Sequence, residues 1–558
     1  MGGKTSLRLQ KKKTVEWLCA SYSEAFSFLL IACSPTYLSK MFTVCPFHSH
    51  MYRKKREMSA QPQPNSMNPD SERELARRPS GAYDPAKALA AVEAMLAVVA
   101  FAVLCAVVLS TGPRRAVEPD DGAYRASIVA MTEGDFLTLS SAQVTALTEL
   151  LRGPDGAGPG GAVGGVQFPN QWVELSDGRY ISEKDPGYPF LAAPFQALGI
   201  PRKAPLFYGA LACLGLFVGA RRWLGRFGGL AAVGLYCSSG AALLFAWRDY
   251  MPTFTNASLI AAGSGTLLWA VLATEASSRR RTWAGIAGFA ALEIATFVRY
   301  TDIVVLGCAV VAVIVAWRLR AASLPLRTLC WWLTSVAVFG AGVAVFDDLV
   351  YGGPLTTGYQ PGEVMFGLGA IVPNLQDMPA HLMQAMPMLV LGLAALAWII
   401  VRGLVPAWPS ARRDLGVGLA VAASWLAVWG LYSAYYWTND PSESTLQAAR
   451  FYVPAIGAIA LLGAWLVTRI PGRAWLAGVT SVAVVTAMFG LGVWSFHAMT
   501  FGVGIPERAC VTQNLCNALV LPQTPLPNSH VPVHSSLLLG TIPQRWKFGN
   551  ETHLAHSW

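Results

Sequence analysis

Charge is scarce in this chain. Only 13% of its 558 residues are Asp, Glu, Lys or Arg, whereas a soluble domain carries about 25%. Because 54% of the residues are hydrophobic, a wholly soluble protein is excluded and a membrane protein with many spans is expected. Lys and Arg outnumber Asp and Glu by 42 to 32. In a membrane protein this excess is expected in the cytoplasmic loops, so it does not indicate nucleic-acid binding.

Cysteine and the common cofactor motifs are scarce as well. Ten cysteines in 558 residues are too few for a disulfide framework, although Cys510 and Cys516 stand close together in the sequence and could pair. The sequence has no Walker A motif, no convincing dinucleotide-binding loop and no HExxH, and its eight histidines form no ligand cluster. We therefore expect no metal site and no cofactor, with a divalent metal left open.

Eleven apolar runs could cross a hydrocarbon core of about 30 Å, which takes about 20 helical residues. The sequence thus predicts an all-α polytopic membrane protein of about eleven transmembrane helices. The runs are Ala88–Ser110, Ala204–Ala220, Phe227–Trp247, Thr253–Thr274, Thr282–Val298, Ile303–Trp317, Thr328–Phe346, His381–Val401, Leu415–Tyr436, Phe451–Thr468 and Ala474–Trp494.

The loops between these runs alternate in charge. Arginines cluster at residues 221–226, 279–281, 318–327, 402–413 and 469–473, while the loops between these clusters hold few. The positive-inside rule then predicts a protein of the cell membrane with a cytoplasmic N-terminus and a C-terminus outside. The predicted layout is a disordered tail over 1–86, with Met58 and Met67 as later candidate starts. A first span over 87–110, an outer loop over 111–203, further spans over 204–494 and an outer tail over 495–558 follow.

The long outer loop carries several polar motifs. Asp120 and Asp121 stand at its beginning, a helix is expected over Ser141–Leu151, and a glycine-rich segment follows. Glu183-Lys184-Asp185 and Pro-Gly-Tyr-Pro, with Tyr188, precede the second span. Such a loop is longer than an ordinary connection, so we expect either part of a site or a merely solvated loop.

Single cations also stand at the outer ends of predicted helices. Arg248, Arg299 and Arg450 depart from the charge rule there, and each could be an interfacial anchor. Together with Lys184, they better suit an anion bound near the outer leaflet, because guanidinium matches phosphate oxygens. Glu293, inside a predicted span, is either functional or a buried contact between helices.

These motifs and their order resemble GT-C-type integral-membrane glycosyltransferases, in the branch of protein O-mannosyltransferases and the lipid A aminoarabinose transferase. The acidic pair, the Glu-Lys pair, Tyr351–Tyr359 and the sequence Arg-Phe-Tyr-Val-Pro from Arg450 carry the resemblance, which covers about residues 88–494. It implies a GT-C-like fold, a polyprenyl-phosphate-linked sugar donor and an active site at the outer membrane surface.

The resemblance also implies roles for single residues. Asp121 or Asp120 matches the family's catalytic base, and Glu183 and Lys184 match a pair that lies near the lipid phosphate. Lys184, Arg299, Arg450 and Arg248 would then bind the donor phosphate. Tyr188, Tyr300 and Tyr359, with Glu183, are the other candidates for substrate binding. The element after Lys184 and the long glycine-rich insertion depart from the family pattern, which leaves the substrate open.

The expected reaction is sugar transfer to a hydroxyl of a lipid, glycan or protein acceptor. A carboxylate would take the acceptor's proton, and fixed cations would stabilise the leaving phosphate. The alternative is a transporter or flippase of a lipid-linked or anionic substrate, which predicts broken helices and polar residues near the bilayer midplane. A membrane scaffold without activity is a third possibility.

Overall fold

The computed structural model describes most of the chain between residues 85 and 501. Among the predicted features, residues 1–84, the glycine-rich segment and Cys510 and Cys516 lie outside the described residues. The chain divides into two units, Met1–Leu89 and Ala90–Trp558, and the second contains the helical core and the candidate site. The described ranges are 85–111, 119–132, 136–144, 172–175, 177–248, 250–319, 323–359, 366–404, 411–439, 449–469 and 474–501.

Helices dominate the described residues. In chain order they are α1 (Pro85–Ser110), α2 (Pro119–Thr132), α3 (Gly187–Ala197), α4 (Ala204–Leu224), α5 (Gly228–Cys237), α6 (Gly240–Trp247), α7 (Pro252–Leu272), α8 (Ser278–Val298), α9 (Ile303–Arg318), α10 (Leu326–Tyr351), α11 (Ile371–Ala385), α12 (Leu389–Leu404), α13 (Ala411–Ser433), α14 (Ile456–Thr468) and α15 (Ala474–Phe501). Short 3-10 turns cover Pro201–Lys203, Tyr300–Asp302, Leu368–Ala370, Tyr436–Asn439, Ala449–Phe451 and Val453–Ala455.

Each of the eleven predicted spans coincides with helix, so the polytopic helical fold is confirmed, but the number eleven is not. By length and composition, seven helices of the described chain could cross a membrane, or up to nine if each bent pair is one span. The helix α8 is not among the seven; it has three arginines in its first turn and Glu293 in its interior. The run ending at Thr468 falls short because its apolar helix, Val453–Thr468, is only 16 residues long.

Two predicted runs are broken rather than continuous. The helices α5 and α6 meet at Ser238 and Ser239 with a bend of 59°, and Leu368–Ala385 meets α12 with a bend of 111° near Pro387. At the first break, Ser238 N–H donates to Gly234 and Leu243 N–H donates to Ser239. The turn therefore keeps its backbone hydrogen bonds inside protein, as a break in a membrane segment requires.

The core is built around α7, which packs against α4 and α8. Glycines at the crossing of α4 and α7 allow the backbones to touch, because a Cβ at Gly219 would collide with the carbonyl of Gly265. Small residues of this kind are typical of packing between membrane helices. The outer ends of these helices, by the predicted topology, then lie near the segments that carry the candidate site.

A small sheet in the outer loop departs from the all-α prediction. Strands β1 (Thr138–Leu139), β2 (Trp172–Glu174) and β3 (Tyr180–Ser182) form an antiparallel sheet in the order β1-β3-β2. The turn between β2 and β3 contains Asp177-Gly178, and Gly178 has a φ of +80°. A two-residue strand gives no periodic signal, but Asp-Gly between two short apolar stretches is a hairpin signal that the sequence does contain. Of the helix expected over Ser141–Leu151, residues 141–144 are described and are helical.

Ion pairs join loops of the same predicted side. In the arginine-rich set, Arg222 pairs with Glu275, and Arg469 contacts Asp414 at 2.8 Å. Arg221 reaches Glu93, near the beginning of α1, at 2.9 Å. The cations of the arginine-poor loops, Lys184, Arg299 and Arg450, lie together at the opposite ends of the helices. This separation agrees with the charge alternation but does not by itself fix which side is outside.

The topology is testable by labelling single cysteines on intact cells. We expect an impermeant thiol reagent to label Asp177→Cys, in the turn of the outer hairpin, but not Thr274→Cys, beside Glu275; both native side chains are exposed. The signal is measured above that of the parent chain, and both sites should react once the cells are permeabilised. Labelling at residue 274 alone would reverse the predicted orientation.

Candidate active site

The turn after β3 carries the polar residues of the predicted site. Its conformation is local, because Ser182 Oγ accepts a hydrogen bond from the backbone N–H of Lys184 at 3.1 Å. Gly187, at the beginning of α3, lies so close to the end of α8 that a Cβ there would stand 2.5 Å from the backbone of Phe297. The sheet and this close approach hold the turn against the end of α8.

Lys184 and Arg450 both contact Asp120. The Lys184 Nζ lies 3.1 Å from Asp120 Oδ1, and Arg450 Nη1 lies 3.5 Å from Asp120 Oδ2. Lys184 Nζ is also 3.4 Å from Glu183 Oε1. The three segments after α1, after β3 and before α14 therefore meet in one cluster of charges. These side chains are nearly buried, with 9% of Lys184 and 11% of Arg450 exposed.

Arg299 joins the cluster from the end of α8. Its guanidinium lies 4.9 Å from the ring centroids of Tyr432 and Phe451, and it donates to the carbonyl oxygen of Arg450 at 3.4 Å. The Arg450 guanidinium lies over the same Phe451 ring at 4.8 Å. The aromatic faces, together with the carbonyl oxygen of Arg450, thus hold the two guanidinium groups near each other.

Arg248 stands apart in the contacts that define the cluster. It follows α6, which packs against the turn carrying Arg450, and its guanidinium lies 5.8 Å from the Phe245 ring. The side chain is buried. Of the four cations predicted to bind phosphate, Lys184, Arg299 and Arg450 are therefore brought together, and Arg248 stays a prediction.

The predicted tyrosines surround the cluster on several sides. The Tyr359 ring lies 4.9 Å from Lys184 Nζ, and Tyr188 packs edge-on against Tyr124 with centroids 5.8 Å apart. Tyr300 donates its hydroxyl proton to Asp347 Oδ1 at 2.8 Å. Burial raises the pKa of Tyr124 and Tyr359 well above the ordinary value, so both hydroxyls stay protonated and can donate hydrogen bonds.

Charge neighbours determine the ionisation of Lys184. Burial alone would lower its pKa, but the nearby carboxylates of Asp120 and Glu183 hold the pKa above its ordinary value. Lys184 is consequently a fixed cation in a place with little water. A fixed cation there interacts more strongly with an anion than a solvated one does.

Asp121 is described only in its backbone. The helix α2 begins at Pro119, so Asp120 and Asp121 lie in its first turn, where a carboxylate interacts favourably with the helix dipole. The helix begins two residues before Asp121. The assignment of Asp121 as base stays a prediction, while Asp120 has one oxygen near Lys184 and the other near Arg450.

Sequence reasoning named Asp185 only as part of a longer motif and did not single out Asp347. Asp185 Oδ2 accepts the backbone N–H of Tyr300 at 3.3 Å, and burial raises the pKa of Asp185 to about 7. Tyr432, Tyr435 and Phe451, stacked beside Arg299 and Arg450, were also missed or mentioned only in passing. The position of Asp185 directly after Lys184 was a visible signal in the sequence. The environment of Asp185 differs from that of Lys184 because it is formed by residues at the ends of α8 and α10, which the sequence does not show.

Glu293 lies outside this geometry. Glu293 is buried within α8, and the contacts of the cluster do not include it. In the described ranges no group of three His, Cys, Asp or Glu side chains is placed to hold a metal ion. The arrangement that the structure does bring together can bind an anion and supplies carboxyl groups beside it.

No protein-family model matches this chain, and no curated protein matches it. Among solved structures, it is similar to ArnT from Cupriavidus metallidurans in the apo state, with 17% identity, a TM-score of 0.40 and coverage of 76% of this chain and 68% of that one. The same protein bound to undecaprenyl phosphate gives 16% identity, a TM-score of 0.41 and coverage of 75% and 67%.

The oligosaccharyltransferase of Archaeoglobus fulgidus, in its apo form, is similar as well. Identity is 11% and the TM-score 0.42, over 79% of this chain and 61% of that one. These solved structures are of the kind of protein that the sequence motifs resemble. Because the TM-scores lie below 0.5, the function has to rest on the residues of this chain.

Gly358 offers a test of how closely the loop after α10 must approach the turn after β3. A Cβ at this position would stand 2.5 Å from the Cα of Glu183, and backbone atoms have little freedom to yield. We expect Gly358→Ala to destabilise the protein by about 1–3 kcal/mol, as overpacking does. The measurement is the melting temperature in detergent.

The matched control is Gly367→Ala, because no atom lies within 4 Å of a Cβ built there. Its melting temperature should equal that of the wild type. Equal melting temperatures for the wild type and Gly358→Ala would mean that Tyr359 and Glu183 are not held by this contact.

Proposed function

We propose that this chain is a membrane glycosyltransferase. It moves a sugar from a polyprenyl-phosphate-linked donor to an acceptor hydroxyl at the outer membrane face. The observation that carries the proposal is the meeting of Lys184, Arg299 and Arg450 with Asp120 at one end of the helices, from four separate stretches of the chain. These helix ends are the ones that the charge alternation predicts to face outward.

The chemistry of the cluster favours phosphate as the bound anion. Three cations meet carboxyl groups there in a nearly buried place: Asp120 and Glu183 beside Lys184 and Arg450, and Asp302 near Arg299. Guanidinium groups match phosphate oxygens bidentately, and an ammonium adds a compact charge. In the transition state negative charge grows on the leaving phosphate, so fixed cations beside it lower the barrier.

The donor's position relative to the membrane supports a lipid-linked phosphate. A polyprenyl phosphate has its phosphate at headgroup level and its tail in the hydrocarbon. Arg299 and Arg450 stand at the ends of α8 and α14, where such a phosphate would lie. The exposed apolar side chains of the membrane helices leave room for the tail along the protein surface.

Removal of the acceptor's hydroxyl proton requires a carboxylate whose oxygens the acceptor can reach. Asp120 is engaged by two cations, so we assign the base to Asp121, which the family resemblance also favours. The acceptor hydroxyl oxygen attacks the anomeric carbon and gives its proton to the Asp121 carboxylate. Glu183, Tyr188, Tyr300 and Tyr359 are proposed to contact the substrates.

A transporter or flippase is the second candidate because of the break between α5 and α6. Broken helices are typical of transporters, where they line a site near the midplane. The two functions differ in their product: purified enzyme in detergent forms a glycosylated acceptor without any membrane gradient, whereas a transporter forms none. In a deletion strain, loss or accumulation of one cell-envelope glycoconjugate would identify the substrate.

The phosphate site is testable by binding of undecaprenyl phosphate to purified protein. Replacement of Lys184 or Arg299 by Ala should weaken binding by about 1.5–3 kcal/mol, as expected for loss of a hydrogen bond to a charged group. Lys203→Ala, which removes an exposed cation before α4, is the control and should leave binding unchanged. Wild-type affinity in both variants would mean that the phosphate does not bind at this cluster.

The base is testable by Asp121→Asn. Asn preserves the size of the side chain but accepts no proton at neutral pH, so turnover should fall by about 10²–10⁴-fold. Binding of undecaprenyl phosphate should be retained, because the cations are unchanged. The measurement is sugar transfer in membranes that supply the native donor pool. Near-full turnover with normal expression would mean that another carboxyl group is the catalytic base.

A further inference from the structure

Asp185 lies beside the proposed phosphate position in an environment unlike that of its neighbours. It follows Lys184 directly, and its Oδ2 accepts the N–H of Tyr300, the residue after Arg299. Its other oxygen, Oδ1, is buried and accepts no hydrogen bond from the described residues. One oxygen of a buried carboxyl group is thus left for a ligand, on a side chain that interacts with two of the proposed phosphate cations, Lys184 and Arg299.

Groups of both signs act on Asp185. Burial raises its pKa to about 7, the cations of Arg299 and Lys184 oppose that rise, and the carboxylate of Asp347 adds to it. Four hydroxyl groups also face it, from α2, from the junction of α8 and α9, from α10 and from the following loop. They belong to Tyr124, Tyr300, Tyr351 and Tyr359.

A bound phosphate would shift this balance toward the protonated form. An anion beside a carboxyl group disfavours its charged state, so Asp185 would bind its proton more tightly when the donor is present. A protonated carboxyl group donates a hydrogen bond to a phosphate oxygen, whereas a carboxylate would repel it. Carboxylic acids kept neutral by their surroundings are known to act as such donors.

We propose that Asp185 is a protonated carboxyl group that donates a hydrogen bond to the donor phosphate and passes its proton to the leaving oxygen. This inference rests on the proposed function. The acceptor oxygen bonds to the anomeric carbon, and its proton goes to Asp121. The bond from the anomeric carbon to the phosphate oxygen breaks, and its electron pair stays on that oxygen. Asp185 protonates it, becomes a carboxylate and regains a proton from water.

The acidities of the two partners suit this transfer. The second ionisation of a phosphate monoester has a pKa of about 6. The pKa of Asp185, about 7, lies close to it, so the proton can move in either direction at little cost. The same match explains why a carboxyl group is tolerated beside an anion: it is neutral when the anion is bound.

Binding of undecaprenyl phosphate as a function of pH tests the proposal without knowledge of the sugar. Asp185→Asn keeps an oxygen for the Tyr300 N–H and an amide that donates to phosphate, but it has no proton to lose. The two proteins should bind equally at pH 6. At pH 8.5 the variant should bind about 30-fold more tightly, because the wild type must first take up a proton with a pKa near 7.

The ratio of the two affinities at each pH cancels the ligand's own titration. A pH-independent ratio would overturn the proposal while leaving the phosphate site intact, provided that Lys184→Ala still weakens binding. Absence of any undecaprenyl phosphate binding by the wild type would overturn the proposed function and this inference together. In the transfer assay, Asp185→Asn should be about 10²–10⁴-fold slower, and it should lack the fall in rate that the wild type shows above pH 7.

A second variant keeps the test decisive if Asp185→Asn does not fold. Asp347→Asn removes the carboxylate that helps keep Asp185 protonated, so the loss of affinity in the wild-type background should begin at a lower pH. Asp348→Asn, on the exposed neighbour in α10, is the matched control and should leave the pH profile where it is. An unshifted profile in Asp347→Asn would contradict the proposal.

Discussion

A buried lysine is the constraint on which the outer loop depends. Moving an ammonium group out of water costs several kcal/mol, and the cost is offset only by good geometry with partners of opposite charge. Lys184 meets Asp120 at 3.1 Å, Glu183 at 3.4 Å and the Tyr359 ring at 4.9 Å. These partners come from α2, from the turn after β3 and from the loop after α10, so a single charge ties three segments together.

The two ends of the helices use arginine differently. In the arginine-rich loops, Arg222 pairs with Glu275 and Arg469 contacts Asp414. In the cluster around Lys184, Arg299 and Arg450 both lie over the Phe451 ring. Pairs of the first kind fasten one loop to another. Arg450 already has the Asp120 carboxylate beside it, and a bound phosphate, as proposed, would give the two neighbouring guanidinium groups an anion in common.

The membrane helices could be predicted from the sequence because their signal is local. An apolar run either is or is not long enough to span, and each of the eleven runs contains helix. The breaks at Ser238–Ser239 and near Pro387 were missed because apolar residues continue on both sides of them. The sheet was missed for a related reason: β1 and β3 are two and three residues long and are some 40 residues apart in the chain. Their pairing is a tertiary event.

The site was predictable in its cations and less so in its carboxyl groups. Lys184, Arg299 and Arg450 could be found because a cation on the side poor in cations is conspicuous. Glu183 and Asp185 flank the same lysine in sequence, yet one contacts the ammonium and the other faces Tyr300 and Asp347. The charge state of Asp185 therefore depends on its surroundings and not on residue type alone. In the proposed function, a site that binds phosphate and then releases it would gain from both: a carboxylate that holds the lysine in place, and a carboxyl group whose proton follows the charge of the phosphate.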